Sequence, residues 1–328
     1  MKKTILVVGG AGYIGSHMVK MLLAQGCQVV VLDNLSNGYR NAVLGGDFVF
    51  GDLGDKNNLD YVFQAYQFDG VMHFASFIQV GESVTKPGMY YQNNVANTLN
   101  LLDAMVKYDV KHFIFSSTAA IFGEPQSVPL DETHPKNPIN PYGLSKWMVE
   151  QILRDYETAS GLRSICLRYF NAAGADPDGE LGERHIPETH LIPLVLQAAS
   201  QRREQITIFG QDYDTPDGTC IRDYIHINDL CQAHWRALQQ LWNGNSSTAY
   251  NLGNGEGFSV REVIDVAKQV TGLPIPIVEG QRREGDPARL VADAQQAKAK
   301  LGWQPQFTEL ETIISHAWAW EQQHGKKW

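Results

Sequence analysis

The chain opens with an apolar strand pattern, a glycine-rich turn and a helical pattern in direct succession. Thr4–Val8 is rich in β-branched residues, glycines stand at positions 9, 12 and 15, and Ile14, Met18 and Met21 then fall on one helical face. This order is typical of dinucleotide binding, because a pyrophosphate must approach backbone N–H groups that a side chain would cover. The glycines alone are weak evidence, since tight turns without a ligand also use glycine.

A carboxylate follows the second strand pattern. Residues 28–32 are mostly apolar, and Asp33 comes about 18 residues after Gly15, close to the spacing at which an acidic residue binds the adenosine ribose. A carboxylate there favours NAD, since it would repel the 2′-phosphate of NADP. The alternative is that Asp33 is only a turn residue, because Asp-Asn pairs favour turns.

Composition limits the class of protein. The chain has 328 residues, of which 43% are hydrophobic and 19% charged, so we expect an ordinary packed core. A net charge of −9 disfavours a nucleic-acid surface. The four cysteines lack the spacing of disulfide or zinc motifs, so no metal is predicted. No segment approaches the roughly 18 apolar residues of a membrane span, so we expect a cytoplasmic protein without a membrane partner.

Strand and helix patterns alternate through about residue 170. This alternation predicts an α/β fold, a Rossmann-type doubly wound parallel sheet with a smaller C-terminal substrate-binding domain. After Asn171, Gly, Pro, Asp and Glu crowd residues 174–190, and the later elements are shorter. We therefore expect an NAD-binding Rossmann domain at 1–170 and the second domain at 171–328, with segments of about 222–258 returning to the first.

A tyrosine and a lysine stand four residues apart after a predicted helix start. Asn140 can cap this helix and Pro141 suits its first turn, which puts Tyr142 and Lys146 on one face. An ammonium near a phenol favours the phenolate, so we expect the pKa of Tyr142 to be lowered and Tyr142 to act as a base. Thr118 ends a strand pattern, where open α/β sheets bind ligands. Taken alone, the pair could equally be a surface pair.

Further segments form a set that covers nearly the whole chain. They are GGAGYIGSH (9–17), DNLSNG (33–38), HFAS (73–76), VGES (80–83), NPYGLSKWMVE (140–150), LRYFNAAGA (167–175), GTCIRDYIHINDL (218–230) and REGDPA (283–288). Through them the chain resembles the extended short-chain dehydrogenases/reductases and, within these, the UDP-glucose 4-epimerase family. The Tyr-Lys pair marks only the superfamily, whereas RYFNAAGA and RDYIHINDL are much more specific to nucleotide-sugar enzymes.

The resemblance implies a site residue by residue. Catalysis would depend on the hydroxyls of Thr118 and Tyr142, with Lys146 beside them. The residues implied to bind NAD are Gly9, Gly12, Tyr13, Ile14, Gly15, Asp33, Asn34, Asn37, Asp52, Leu53, Phe74, Ala75, Asn93, Ser116, Tyr142, Lys146 and Tyr169. Those implied to bind the UDP-sugar substrate are Thr118, Tyr142, Asn171, Leu191, Phe209, Arg222, Arg283, Asp286 and Leu290.

Two arginines suit a diphosphate, because each guanidinium can donate two parallel hydrogen bonds. From the residues alone, Arg222 could instead form a structural ion pair with Asp223 or Asp229.

The implied activity is interconversion of UDP-glucose and UDP-galactose by transient oxidation at C4, in a homodimer. UDP-N-acetylglucosamine, UDP-glucuronate and UDP-xylose remain alternative substrates. A 4,6-dehydratase is disfavoured, because Ala119 and Ala120 stand where that family carries an Asp-Glu pair. A non-catalytic NAD-binding sensor is disfavoured by the retention of Thr118, Tyr142 and Lys146.

Three positions depart from the family pattern. Ile78 stands where many relatives carry a lysine near the nicotinamide. His190 stands where an asparagine commonly contacts the substrate, and it could equally pack within its loop. Leu290 aligns with the position that limits sugar size, where some relatives have tyrosine, so it could admit a bulkier 2-acetamido sugar.

Overall fold

Seven parallel strands form the central sheet of the structure, a computed structural model that describes residues 2–282 and 286–325. The strands of the chain are β1 (Thr4–Val8), β2 (Gln28–Asp33), β3 (Asp47–Phe50), β4 (Gly70–His73), β5 (His112–Thr118), β6 (Arg163–Tyr169), β7 (Asn171–Ala173), β8 (Ile206–Phe209), β9 (Ile221–Arg222), β10 (Tyr224–His226), β11 (Thr248–Leu252), β12 (Phe258–Ser259), β13 (Ile277–Gly280) and β14 (Arg289–Leu290).

The order of strands in the sheet is β11-β6-β5-β4-β1-β2-β3, and every neighbouring pair is parallel. The chain starts in the middle, at β1, and reverses direction between β1 and β4. In open α/β sheets this reversal leaves a crevice at the carboxyl ends of the strands, where ligands bind. The predicted Rossmann-type fold is confirmed.

Helices cover both faces of the sheet. They are α1 (Tyr13–Ala24), α2 (Lys56–Ala65), α3 (Val80–Thr85), α4 (Pro87–Tyr91), α5 (Asn97–Lys107), α6 (Pro141–Ser160), α7 (Leu191–Ala199), α8 (Ile227–Trp242), α9 (Val260–Thr271), α10 (Gln295–Leu301) and α11 (Leu310–His324). Apolar residues of α1, α8 and α10 form the core on one face, and those of α2, α5 and α6 form the core on the other. β1, β4 and β5 are buried between these two layers, which accounts for their nearly continuous apolar sequences.

The chain beyond residue 170 contributes to both halves of the molecule. β11 pairs with β6 at the edge of the central sheet, and α8 packs beside α1. The remaining part forms a separate core around α7, α9 and α11. Its strands make three small sheets, β7 with β10, β8 with β13, and β9 between β12 and β14.

One helix differs from the expected pattern. Residues 88–107 predict a single long helix, but the structure inserts a π-helical turn, Gln92–Ala96, between α4 and α5. The side chain of Asn94 in this turn bonds both the N–H and the C=O of Phe77, at 2.9 and 3.0 Å, and donates to Ser145 Oγ at 3.1 Å. Turns of this kind recur at functional sites. Within the described ranges, no helix is long and apolar enough to cross a membrane.

Candidate active site

The glycine turn presents backbone N–H groups at the start of α1. Gly9 has a φ of +78°, and a Cβ on Gly15 would lie 2.1 Å from the Gly9 carbonyl oxygen, so both positions require glycine. At Gly12 the nearest atom to an added Cβ is 3.4 Å away, so this position is open on its outer side. Among the described residues, no side chain caps α1 and its first turn carries no acid. The turn therefore fits a pyrophosphate, which the positive end of the helix dipole attracts.

Asp33 supports the turn from the end of β2. Its Oδ2 accepts from the Ala11 N–H at 2.8 Å, and its Oδ1 accepts from the Leu35 N–H at 2.8 Å. Burial raises the pKa of this carboxyl, while the two N–H donors oppose the shift. Each oxygen keeps a lone pair, so the same carboxylate can brace the turn and accept from ribose hydroxyls.

The other predicted adenosine-side residues lie at the ends of β2 and β3. Asn34 donates to Asp52 Oδ2 at 2.6 Å, which joins two predicted cofactor contacts directly. Asn37 lines a cavity of about 140 Å³ together with Gly12 and Tyr13. Leu53 follows Asp52, and its side chain belongs to the buried core beneath the site.

Tyr13, Phe74 and Ala75 lie next to the glycine turn on different sides of it. The Tyr13 hydroxyl donates to the Gly174 carbonyl at 2.7 Å and so ties α1 to the chain after β7. A Cβ on Gly9 would meet the backbone of Phe74 and Ala75 within 2.9 Å, because the chain after β4 lies directly against the turn. The sides of Tyr13 and Ile14 pack against the core formed by α1 and α8.

Tyr142 and Lys146 lie at the start of α6, as the sequence predicts. Asn140 Oδ1 accepts from the Gly143 N–H at 2.8 Å, and Pro141 occupies the first turn, so the predicted cap is confirmed. Lys146 Nζ donates to Ser76 Oγ at 2.8 Å and to the Ser116 carbonyl at 2.7 Å. These bonds fix the lysine between the ends of β4 and β5.

The electrostatics of this pair differ from the sequence expectation. Burial raises the pKa of Tyr142, and a hydrogen bond with the Thr118 hydroxyl only partly opposes the shift. Burial lowers the pKa of Lys146 to about 7. The expected lowering of the Tyr142 pKa by Lys146 is therefore wrong for the protein alone, because desolvation dominates and the ammonium donates to Ser76 and Ser116.

Ser116, Tyr169 and Asn93 complete the predicted cofactor side. Ser116 Oγ lies 3.2 Å from His234 Nε2, and the Tyr169 ring lies 6.1 Å from the His234 ring. Burial raises the pKa of Tyr169, while the Ser116 hydroxyl opposes the shift. Asn93 donates to Asn94 Oδ1 at 3.0 Å within the π-helical turn.

The predicted substrate cation is held by neighbouring strands. Arg222 Nη1 donates to the carbonyls of Ile221 and Pro287 at 2.8 Å, and Nη2 bonds Asp286. Pairing of β9 with β14 places Leu290 opposite Arg222, so three predicted substrate residues come together. Arg283 lies outside the described residues.

Arg222 does form an ion pair, as the structural alternative expects, but its partner is Asp286 rather than Asp223 or Asp229. The carboxylate of Asp223 accepts instead from backbone N–H groups after β11 and before α10, and that of Asp229 accepts from the N–H groups of residues 306 and 307. The Asn171 side chain donates to the backbone carbonyl of Asp223 at 2.9 Å. Because Asp223 directly follows Arg222, this bond places Asn171 close to Arg222.

Leu191, Phe209 and Leu290 lie on three different elements. Leu191 begins α7 and packs on the C-terminal core, and Phe209 ends β8. Leu290 packs on a small cluster that includes Ala119 and Phe122, the residues just after β5. Leu290 is thus near the end of β5, where Thr118 is predicted to act, whereas Leu191 and Phe209 lie on the elements α7 and β8 of the C-terminal part.

Several residues that support the site were not predicted. Ser76 and His234 contact Lys146 and Ser116, as above. Behind β5, Glu150 accepts from Ser117 Oγ at 2.6 Å and forms a two-pronged ion pair with Arg168, whose side chain and that of Glu150 are both 3% exposed. Glu150 and Arg168 each lie in a family-like segment, but nothing in the sequence pairs them.

The structure describes the environment of two residues that depart from the family pattern, Ile78 and His190. Ile78 is 40% exposed. His190 is part of an ion-paired cluster, with its Nδ1 2.5 Å from Glu183 Oε1. Burial alone would lower the pKa of His190, but Glu183 and Glu188 together raise it to about 10. The sequence offers two roles for His190, contact with the substrate or packing within its loop, and neither includes these ion pairs.

Comparison with known proteins agrees with the fold. Residues 5–253 match the model of the NAD dependent epimerase/dehydratase family. A UDP-glucose 4-epimerase from Halalkalibacterium halodurans is 53% identical over 98% of this chain and 96% of its own length. The structure is similar to that of UDP-glucose 4-epimerase from Brucella ovis in complex with NAD, with a TM-score of 0.95, 49% identity and coverage of 96% and 97% of the two chains. It is also similar to the enzyme from Bifidobacterium longum in complex with NAD+ and UDP, with a TM-score of 0.94, 38% identity and coverage of 99% and 100%. The chain therefore belongs to the NAD-dependent epimerase/dehydratase family.

Proposed function

We propose that this protein is an isomerase that interconverts UDP-glucose and UDP-galactose through transient oxidation at C4. The proposal rests mainly on one observation. Tyr142, Thr118 and Lys146 come together at the carboxyl end of β5, beside the glycine turn, where Tyr142 bonds the Thr118 hydroxyl and Lys146 bonds the Ser116 carbonyl. The relatives and the structures compared above bear the name of this activity, and two of those structures contain NAD.

The residues around the glycine turn suit NAD. Gly12 leaves room for the pyrophosphate, Asp33 offers two oxygens to a ribose, and we assign the Lys146 ammonium to the nicotinamide ribose. Bound NAD+ would accept a hydride from C4 of the sugar and return it to the opposite face.

The chain's own residues handle the proton. Tyr142 takes the proton of the 4-hydroxyl as the hydride leaves C4, and it gives the proton back when the hydride returns, so charge and atoms balance over the cycle. Thr118 orients the reacting hydroxyl through its own hydroxyl. Because burial raises the pKa of Tyr142, its deprotonation requires a nearby positive charge, which Lys146 supplies in its protonated form.

Arg222 anchors the nucleotide while the sugar turns. Three of its five N–H donors bond Ile221, Pro287 and Asp286, so the donors outside these bonds are the ones we assign to the diphosphate. An anchored diphosphate lets the keto sugar rotate and present its other face without leaving the enzyme.

We also propose a homodimer. α5 and α6 pack side by side on one face of the sheet, and α6 carries Met148, which is 42% exposed. A second copy covering this face would bury that side chain. Light scattering of the purified protein checks the mass. Cytoplasmic location stays a prediction.

A panel of UDP-sugars tests the proposed function. The purified chain is incubated with UDP-glucose, UDP-N-acetylglucosamine, UDP-glucuronate or UDP-xylose without added cofactor, and the C4 configuration of the product is read by NMR. We expect inversion of UDP-glucose. Inversion of the acetamido sugar as well would indicate that Leu290 leaves room for its substituent. Protein that retains NAD but inverts none of the four would favour the sensor.

A further inference from the structure

A cluster of two histidines and two glutamates lies in the chain between β7 and α7, directly before the predicted substrate residue Leu191 and apart from Thr118, Tyr142 and Lys146. Ligand atoms of Glu183, His185, Glu188 and His190 all lie within 4.8 Å of one another. The side chains of both glutamates are 5% exposed. We refer to these four residues as the His/Glu quartet. The sequence prediction of no metal site considered cysteine spacing and did not weigh this E-x-H-x-x-E-x-H pattern.

Several distances within the quartet are close to those around a tetrahedral ion. His185 Nδ1 lies 3.2 Å from Glu183 Oε1 and 3.6 Å from Glu188 Oε2, and His190 Nδ1 lies 3.5 Å from Glu188 Oε1. Ligand atoms about 2.0–2.2 Å from a tetrahedral zinc ion are separated by about 3.3–3.6 Å. The 3.2 Å contact between His185 and Glu183 is slightly shorter than this range, and the 2.5 Å contact between His190 and Glu183 must open by about 1 Å to admit the ion.

One ring nitrogen of the quartet faces two carboxylates without a well-directed hydrogen bond. His185 Nδ1 is buried, and its contacts of 3.2 Å to Glu183 and 3.6 Å to Glu188 lack good hydrogen-bonding geometry. A ring nitrogen placed beside two carboxylates in this way is in a position to serve as a metal ligand. Glu183, His185 and Glu188 also line a cavity of about 230 Å³.

The surrounding backbone orients one of the carboxylates. Glu188 Oε1 accepts from the N–H groups of Thr189 and His190 at 2.7 and 2.9 Å. Such outer bonds hold a metal-binding carboxylate in place. A purely ionic account, with two imidazolium rings facing two carboxylates, explains the charge balance but leaves His185 Nδ1 poorly directed towards both carboxylates.

We propose that the His/Glu quartet binds one Zn²⁺ ion with a structural role. Two imidazole nitrogens and two carboxylate oxygens suit zinc better than Mg²⁺ or Ca²⁺, which prefer oxygen ligands alone. The ion closes the loop of residues 183–190. The His185 ring packs edge-on against Tyr13 with centroids 6.4 Å apart, and Leu191 begins α7 directly after His190. The ion therefore fixes the loop that lies against the glycine turn.

Metal content tests this proposal independently of activity. The full chain is produced without an affinity tag, stripped with a chelator and titrated with Zn²⁺ alone, with metal measured by mass spectrometry. We expect about one zinc per chain and a melting temperature about 5 °C higher with zinc than without. Co²⁺ in the same site should give the strong visible absorption of tetrahedral coordination, and anomalous scattering at the zinc edge should place the ion among the four residues.

Variants separate the quartet from other zinc-binding groups. Glu188→Gln keeps the acceptor for Thr189 and His190 but loses the charge, and His185→Ala removes one nitrogen, so each should lower zinc affinity by at least about tenfold. His112→Ala, at the start of β5, is the matched control and should bind zinc like the unmodified chain. Stripped wild-type protein that takes up no zinc, variants that bind it unchanged, or an ion located elsewhere would each overturn the proposal.

Discussion

The cofactor side and the sugar side of this molecule are built in different ways. Around the glycine turn, buried strands of five to seven residues fix backbone groups, and the polar side chains are bonded to that backbone, as Asp33 is to Ala11. Around Arg222, strands of two or three residues meet, and an ion pair with Asp286 holds the key cation. The first side is a preformed cradle, whereas the second depends on charge.

Because the two sides are built differently, substitutions on each side should impair the enzyme in a different way. Changes on the cofactor side should remove the redox partner or the base, while changes on the sugar side should weaken substrate binding and leave the cofactor in place. Four substitutions test this division, in order of expected effect.

Tyr142→Phe should cause the largest loss. Removing the proton acceptor while keeping the ring should lower kcat by about a thousand-fold, within the range typical of general base removal, and leave the NAD content of the purified protein unchanged. Tyr156→Phe, on the same helix but bonded to Asp103, is the control and should be fully active. A kcat for Tyr142→Phe within about tenfold of the original would remove Tyr142 as the base.

Gly12→Ala should empty the cofactor site without disturbing the fold. A Cβ here meets its nearest protein atom at 3.4 Å, so the melting temperature of the stripped protein should hold, but the methyl group covers the pyrophosphate position. We expect NAD affinity to fall by about 100-fold, measured by titration calorimetry. Gly88→Ala, where a Cβ meets nothing within 4 Å, is the control. Unchanged NAD affinity in Gly12→Ala would show that the pyrophosphate binds elsewhere.

Arg222→Met should act on the substrate alone. Loss of the cation should raise KM for the UDP-sugar and lower kcat/KM by about 30-fold, equivalent to about 2 kcal/mol. Arg289→Met, an exposed arginine on β14, controls for general charge loss. If Arg222→Met instead lost NAD and kept its KM, the proposed division between the two sides would fail.

The smallest expected effect is on stability rather than on activity: Lys146→Met, which also removes the charge that Tyr142 needs, should change the pH dependence of the melting temperature of the cofactor-free protein. The pKa of Lys146 is lowered to about 7 in the folded protein, against an ordinary value of 10.5. Between these values the unfolded chain binds the extra proton, so this group makes the folded state more stable as pH rises from 7 towards 10.5. Below pH 7 the cost of burying the ammonium is complete.

The melting temperature of Lys146→Met should therefore exceed that of the original protein by a few degrees at pH 6, and the gap should narrow by pH 9. Lys268→Met, on the surface of α9, should show a constant gap. A gap that widens with pH would mean that Lys146 is stabilised as a cation in the folded protein.

The sequence predicts the strands and the helix start on the cofactor side well for a physical reason. β1, β2 and β5 are continuous apolar runs bounded by glycine or polar residues, and a cap and a proline mark the start of α6. These signals are local, so no tertiary information is needed to find them.

The resemblance names residues of the sugar side, but the contacts between them were not predicted because those contacts are not local. β9 and β14 are two residues long, too short to show a period, and Arg222 finds Asp286 only through their pairing. The prediction that the pKa of Tyr142 is lowered fails for a related reason. Helical spacing predicts the nearby lysine, but only the packed structure shows how deeply both groups are buried.

The fate of the hydrogen on C4 tests the central claim most directly. The purified protein is incubated with UDP-galactose in D₂O without added cofactor, and the product is examined by proton NMR. If a hydride leaves C4, is held within the enzyme and returns to the other face, UDP-glucose forms with its original C4 hydrogen. Deuterium at C4 of the product, or a reaction that requires NAD to be supplied at each turnover, would contradict the account.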